Sequence, residues 1–484
     1  MKIRKIRLFL IIIWFIIAGL IVWNKVVPLG SVSYSKNYLS ELNLLGGKGL
    51  IGRLTPVDRL VKGSNSKIIG DPIYFSIFTP RTFDEVKLTI TYKPELSTKT
   101  PIIETGVLVD NKVWRYKMAP LQNQLVDGLK DWSTLRQEKL LILQRVNSFN
   151  NVDVALVQLK NSEEIAWYNS SELAETFPQK KYNTISPFKK IETPLRGAHQ
   201  FYFLAHKEST RNFSMELADL NLDKDADDIE INIYDQSQII YSQTIIDDFN
   251  DEFSGVARDF SFSFVTPEFS DDVKIYKLEI KAGDDIVISK ILSAPSALSA
   301  LGRLKLATAP SADLTLWTDS SYLQITATDP AGRQQINFDN QEFLVPEAYF
   351  QFELVSDNNN LKKIAVSKAD LLLENDSTFS FEKDSYLNPN FKQLNRHFIL
   401  DDKIDYIIAN YSPPQILDNG WYQATVILNT KEAYREKGKY SFILSVPGLS
   451  LAKDGSLEIG EIKAEFSGRN IWEKIKELIV SYAN

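Results

Sequence analysis

The sequence predicts a mainly β protein. An N-terminal transmembrane helix precedes tandem antiparallel β-sandwich domains, immunoglobulin-like or jelly-roll-like, and a short helix closes the chain. Three observations predict this. An apolar run at 8–23 follows the basic residues Lys2, Arg4, Lys5 and Arg7. Short segments with period-two alternation of apolar and polar residues recur through the rest of the chain. Near the end, Ile471, Ile475, Leu478 and Tyr482 return at helical spacing.

The apolar run would span about 24 Å as a helix, slightly short of a ~30 Å hydrocarbon core. Val26 and Val27 extend it, Lys25 can snorkel, and Trp23 falls where an interfacial aromatic is expected. The basic cluster should stay cytoplasmic, which puts the C-terminal bulk outside the cell membrane as a single-pass signal-anchor protein. A cleaved signal peptide is the alternative. It calls for small residues after the core, and 23–27 offers none.

The expected organisation is an anchor at 1–28, a stalk at 29–65 and a first β-sandwich at 66–185. An immunoglobulin-like β-sandwich at 190–300, a third β-sandwich at 301–468 and an amphipathic helix at 469–484 complete it. In the first sandwich, Val86, Leu88, Ile90 and Tyr92 alternate with Lys87, Thr89, Thr91 and Lys93. Asp110-Asn111-Lys112 reads as a hairpin turn. Val152, Leu156 and Leu159 suggest a short helix. In the second, Ile229, Ile231 and Ile233 form one strand and Tyr276, Leu278 and Ile280 another. The Ser/Ala-rich stretch 293–300 reads as a hinge. The third contains Leu323, Ile325 and Ala327, then Tyr440, Phe442, Leu444 and Val446, with an irregular loop around 388–395. At the C-terminus, Asn470 and Glu473 have capping-box spacing, and the helix packs on the third domain or meets a partner.

Composition narrows the function. Residues 1–27 hold five of the 55 Lys and Arg and none of the 62 Asp and Glu, so the remainder carries a net charge of −12. That disfavours nucleic acid as a partner and permits cations. The chain has no cysteine, which rules out a thiol nucleophile or a Cys-ligated zinc site. It has three histidines, His199, His206 and His397, and no H-E-x-x-H pattern. No P-loop and no G-x-S-x-G elbow occurs. The expectation is a protein without catalysis.

One local constellation suggests a cofactor. Asp219, Asn221, Asp223, Asp225, Asp227 and Glu230 place oxygen donors at alternate positions, as hard Ca²⁺ requires. The spacing from Asp219 to Glu230 matches a calcium loop, but Lys224 stands at its glycine position. The alternative is a solvated acidic turn between strands. The acidic loop 247–252 lies in the same domain. Trp114, Trp132, Trp167 and Tyr168 raise the possibility of a glycan platform. Trp114 alternates with Tyr116 and Met118 and is expected in the core; of Trp167 and Tyr168, one ring should point outward.

Several stretches carry a resemblance: Gly70-Asp71-Pro72-Ile73-Tyr74-Phe75, Gly106-Val107-Leu108-Val109-Asp110 with Trp114-Arg115-Tyr116, and Pro194-Leu195-Arg196-Gly197. To these add Asp219-Leu220-Asn221 before the strand from Ile229, and Ser445-Val446-Pro447-Gly448-Leu449. Across most of the ectodomain the chain resembles uncharacterised single-pass, membrane-anchored tandem β-sandwich surface proteins of small-genome bacteria. The resemblance implies the architecture and no site residues. The expected role is a structural, adhesion or envelope-assembly protein tethered to the membrane and meeting a protein or glycan partner. The alternatives are a glycan-binding surface protein or a membrane-anchored hydrolase.

Overall fold

A computed structural model describes residues 12–19, 30–39 and 50–468. Its internal breaks fall at 97–99, 161, 163, 171–172, 174–176, 178–189, 206, 208–211, 223–227, 237, 247–256, 267, 270–272, 294–296, 308–313, 329–333, 346–348, 350, 357–359, 369, 391, 399, 401 and 453–454. The chain is mainly β, built from several antiparallel sheets. It divides into two compact units, 1–128 with 412–484, and 129–411.

The first unit is assembled from both ends of the chain. One sheet runs in the order Ser31–Asn37, Ser456–Ser467, Glu85–Glu95, Tyr422–Asn429, Gln415–Ile416. The other runs Ile73–Phe78, Lys439–Ser445, Ile102–Asp110, Arg115–Asn123. Alternation dictates the inner faces. Val86, Leu88, Ile90 and Tyr92 from the first sheet share one core with Phe75, Ile77, Tyr440 and Phe442 from the second. Phe75 stacks on Phe442 at 5.3 Å, and Tyr440 meets Phe466 across the layers at 5.8 Å. A bulge between Ile459 and Glu461 lets Leu457 and Ile459 point inward on one side and Ile462, Ala464 and Phe466 on the other. A Cβ on Gly460, in that bulge, would lie 2.8 Å from the Trp421 ring.

The second unit begins with a five-stranded sheet that is also discontinuous in sequence. Its order is Lys392–Gln393, Ile165–Tyr168, Tyr406–Asn410, Leu140–Gln144, Ser133–Gln137. Ile165–Tyr168 pairs in parallel with both of its neighbours. The helix Val152–Leu159 covers this sheet. Asn151 caps it, its side chain accepting from the Val154 N–H at 3.1 Å, and Val152, Ala155 and Leu159 are buried against Ile142, Trp167 and Ile408.

The remaining strands of this unit form one continuous hydrogen-bonded network of sixteen. Two strands make it continuous. Ala297–Leu306 pairs with His199–Ala205 over its first half and reaches Leu195 at its end, while Leu371–Ser380 lies along its other side. Leu371–Ser380 pairs in turn with Tyr322–Ala327 and touches Leu314–Thr318. The change of partner along Ala297–Leu306 occurs at a register shift holding Gly302, whose φ of 62° suits glycine.

These pairings do not follow the expected boundaries. Strands expected in the domains at 66–185 and 301–468 share both sheets of the first unit, because alternation marks a buried face but names no partner. The expected stalk at 29–65 contributes Ser31–Asn37, paired residue for residue with 461–467. The expected hinge at 293–300 is largely strand, since small Ser and Ala side chains fit between packed sheets. Of the expected anchor at 1–28, residues 12–19 are helical and the others lie outside the described residues. Among the described residues no helix is long and apolar enough to cross a membrane. The expected C-terminal helix at 469–484 lies outside the described residues.

Candidate functional sites

The acidic loop is the first candidate. Asp219 ends the strand Asn212–Asp219, and Asn221 follows with a φ of 49°; both are buried. The Asn221 N–H donates to Asp219 Oδ1 at 2.9 Å. The Leu220 and Leu222 N–H groups donate to Asp285, to its carbonyl and its carboxylate respectively. These carboxylates are therefore organising a turn. Glu230 lies on the next strand, Ile229–Asp235. It accepts from Asn232 Nδ2 at 2.6 Å and pairs with Lys281 at 3.2 Å. Asp223, Asp225 and Asp227 lie outside the described residues, as does the whole loop 247–252. Among the described residues, no group of three or more His, Asp or Glu could hold a metal ion.

The aromatic residues depart from the sequence expectation at two places. Trp167 and Tyr168 are both buried, because their short strand is interior to its sheet and covered on both faces. Trp167 meets Phe177 edge-on at 4.8 Å. Trp132 is half-buried under the Arg145 guanidinium, 5.1 Å from its ring. Trp114 is 68% exposed at the tip between Ile102–Asp110 and Arg115–Asn123, with a φ of 50°. It falls one residue before the strand, so alternation does not reach it.

A third cluster has no local sequence signature. The irregular segment 381–398 is fastened to neighbouring strands by buried polar side chains. Arg396 and His397 both reach Glu353, His397 with Nε2 2.9 Å from Oε1. The His397 ring sits 4.7 Å from that of Tyr322. Asp376 accepts from Ser320 Oγ at 2.6 Å and from Asn395 Nδ2. Asp319 accepts from Ser377 Oγ and, at 3.2 Å, from Asn388 Nδ2. Tyr202 Oη donates to Asn390 Oδ1 at 3.1 Å.

Burial sets the protonation of this cluster. It pushes the carboxyls of Asp376 and Glu374 above their ordinary range. It lowers His397 to about 4, helped by the positive charge of Arg396. Desolvation likewise drives the hydroxyls of Tyr322 and Tyr386 well up. Asp376, Asp319 and Glu353 accept hydrogen bonds from Ser320, Asn395, Ser377, Asn388 and Arg396, so the cluster acts as a fastening. Five separated segments supply it, which is why no spacing rule finds it. The sole hint is a run dense in Asn, Ser and Asp inside an otherwise alternating block.

His199 forms a second buried polar junction. Its Nδ1 lies 3.0 Å from the Gly197 carbonyl, and its Nε2 accepts from the Lys305 N–H at 3.1 Å. This fixes a neutral ring with the proton on Nδ1. Burial lowers its pKa to about 4. His206 lies outside the described residues. One glycine pattern also escapes the sequence expectations: Gly47-Lys48-Gly49-Leu50-Ile51-Gly52 has the spacing of a dinucleotide fingerprint. Its Gly47–Gly49 portion lies outside the described residues, while the Gly52 N–H donates to the Ser76 carbonyl at 2.7 Å. A single-turn 3-10 helix, Val57–Arg59, follows in place of the helix that a phosphate site needs.

No family model matches the chain, and no curated protein matches it. Solved structures give distant likenesses. The infectious bursal disease virus VP2 subviral particle is 8% identical, with 91% of this chain and 80% of that chain covered and a TM-score of 0.14. The M60 catalytic domain with two CBM51 domains from Clostridium perfringens ZmpB is 8% identical, covering 66% and 54%, at 0.14. Dimeric latent PorU from Porphyromonas gingivalis is 10% identical, covering 61% and 33%, at 0.14. At these TM-scores the likenesses carry no argument about fold or function.

Proposed function

We propose that the chain is a membrane-anchored extracytoplasmic protein without catalysis, acting in structure, adhesion or envelope assembly. The observation that carries this reading is the helix at 12–19. Its side chains are apolar, and Ile12, Trp14, Phe15, Ile16 and Ile17 are exposed. A helix apolar all round needs an apolar surrounding. The basic residues before it favour a cytoplasmic N-terminus, with both β units outside. Their sheets are read as tandem immunoglobulin-like or jelly-roll-like sandwiches that display a binding surface.

Alkaline carbonate extraction of membranes from cells expressing the full chain tests the anchor. Retention in the pellet, with the β units open to protease added outside, is the expected result. Release into the supernatant overturns it. Co-purification from detergent-solubilised membranes then tests the assembly role, and a stoichiometric protein partner is expected. The glycan alternative has Trp114 in its favour, an exposed tryptophan among the described residues of the β units. Calcium binding at the acidic loop is the remaining proposal. Titration calorimetry with Ca²⁺ tests it, and Glu230→Gln should abolish the heat if Glu230 exchanges Lys281 for the ion.

A further inference from the structure

The first unit has two ends, and the chain enters at one of them. Gly30 accepts from the Gly468 N–H at 3.1 Å, and Ser31 pairs with Ser467. Ser467 pairs with Glu85, and Glu85 with Asn429, so these residues form one row at the edge of the first sheet. The second sheet ends at the same place. Phe78 pairs with Lys439, and the strand Ile102–Asp110 runs alongside toward that end, so its hairpin with Arg115–Asn123 turns there. The Phe83 N–H donates to Tyr440 Oη at 3.2 Å, from the connector leading into the first sheet to a strand of the second, and the short connectors 79–84 and 430–434 run between the two rows. Trp114 therefore projects from the end at which residue 30 arrives.

Chain length then limits where this end can be. The apolar stretch closes at Val27, and Ser31 is already in its strand. Four residue steps reach at most about 14 Å. If 8–27 spans a bilayer, this end of the sandwich lies within reach of the headgroup layer.

What this end displays fits such a surface. Trp114 is two-thirds exposed, and Phe78 is partly so. The backbone at Trp114 sits in the left-handed region, with a φ of 50°, a conformation that is unfavourable for a bulky residue. Asp110 Oδ1 shapes the turn by accepting from the Lys112 N–H at 2.9 Å and the Val113 N–H at 3.4 Å. An exposed tryptophan held in an unfavourable conformation at a loop tip points to a contact outside the fold. The segments capping this end, 79–85, 110–115 and 429–439, carry seven Lys and Arg against five Asp and Glu, while the ectodomain as a whole is at −12. Indole and lysine side chains both favour the membrane interface.

We propose that this end of the first unit rests on the lipid surface, with Trp114 in the headgroup layer, so that the sandwich is held against the bilayer and not merely tethered to it. The proposal rests on the anchor reading above. The absence of native cysteine makes the test clean. Trp114→Cys in the full chain is labelled with a nitroxide and reconstituted into vesicles of phosphatidylcholine with a minority of phosphatidylglycerol. Ile416→Cys is the control. It is equally exposed, at 74%, and lies near the opposite end, where Ile416 pairs with Tyr422 and Tyr422 with Tyr92. Power saturation should give position 114 a ratio of oxygen to nickel-chelate access roughly threefold above that of position 416. Equal, water-like ratios in vesicle-bound protein overturn the proposal and leave the anchor intact. Failure of the chain to stay with the vesicles overturns both. Lys112→Cys, exposed on the same turn, gives the same readout if Trp114→Cys does not fold.

Discussion

The two units close long sequence separations by different physics. In the first, strands from opposite ends of the chain meet through apolar inner faces, with Phe75, Tyr440, Phe442 and Phe466 in contact. In the second, the irregular segment 381–398 is held to its neighbours by Glu353, Arg396, His397, Asp376 and Asn395. Apolar closure is indifferent to pH. Polar closure is geometrically specific and responds to protons. All three histidines belong to the second unit.

Breaking each closure measures the contrast. Phe442→Ala, at a fully buried position, should cost the first unit about 3–5 kcal/mol by denaturant titration. Arg396→Met should cost the second a similar ~3–5 kcal/mol, because it strands the buried Glu353 carboxylate. The paired change Arg396→Met with Glu353→Leu should recover much of that loss. If the double variant is no better than the single, the pair is not acting as a charge couple.

Acid should separate the units next. His199 has a folded pKa of about 4 against an ordinary 6.5, so the unfolded chain binds the extra proton between those values. Stability from its neutral ring is full above pH 6.5 and falls as pH drops toward 4, by about 3 kcal/mol. His397 acts in the same direction. Asp376 and Glu374 act oppositely, since their raised pKa values favour the protonated form, and stability returns as pH falls through them. His199→Gln retains an acceptor for the Lys305 N–H and should flatten the thermal-melting profile over this window. An unchanged profile would show that His199 is not the responsive group. The smallest effect is at the surface. Trp114→Gly relieves the left-handed strain at the cost of unfolded-state entropy, for a net gain of roughly 0.5 kcal/mol in detergent.

Much of the local structure was legible. Period-two alternation located Glu85–Glu95, Ile229–Asp235, Lys274–Lys281 and Lys439–Ser445. The hairpin at Asp110 and the short helix from Val152 also stand where spacing put them. The candidate site was less legible. Asp219 and Asn221 come together, but Glu230 pairs with Lys281, a partner some fifty residues on that local spacing cannot show. Trp114, expected in the core, is exposed, and of Trp167 and Tyr168, one of which was expected to face outward, both are buried. Trp114 falls just beyond its strand, and Trp167 and Tyr168 lie in a strand buried on both faces.

The sequence by itself determined the apolar N-terminal run, the strongly alternating strands, the hairpin turn at Asp110 and the absence of thiol chemistry, because each depends on residue identity or on neighbours within a few residues. Only the tertiary structure decided that the two ends of the chain build one unit. It alone assembled the polar fastening from five segments and set Trp114 at the end where the chain enters. Those outcomes depend on which inner faces complement each other across hundreds of residues, and alternation describes a face without naming its partner.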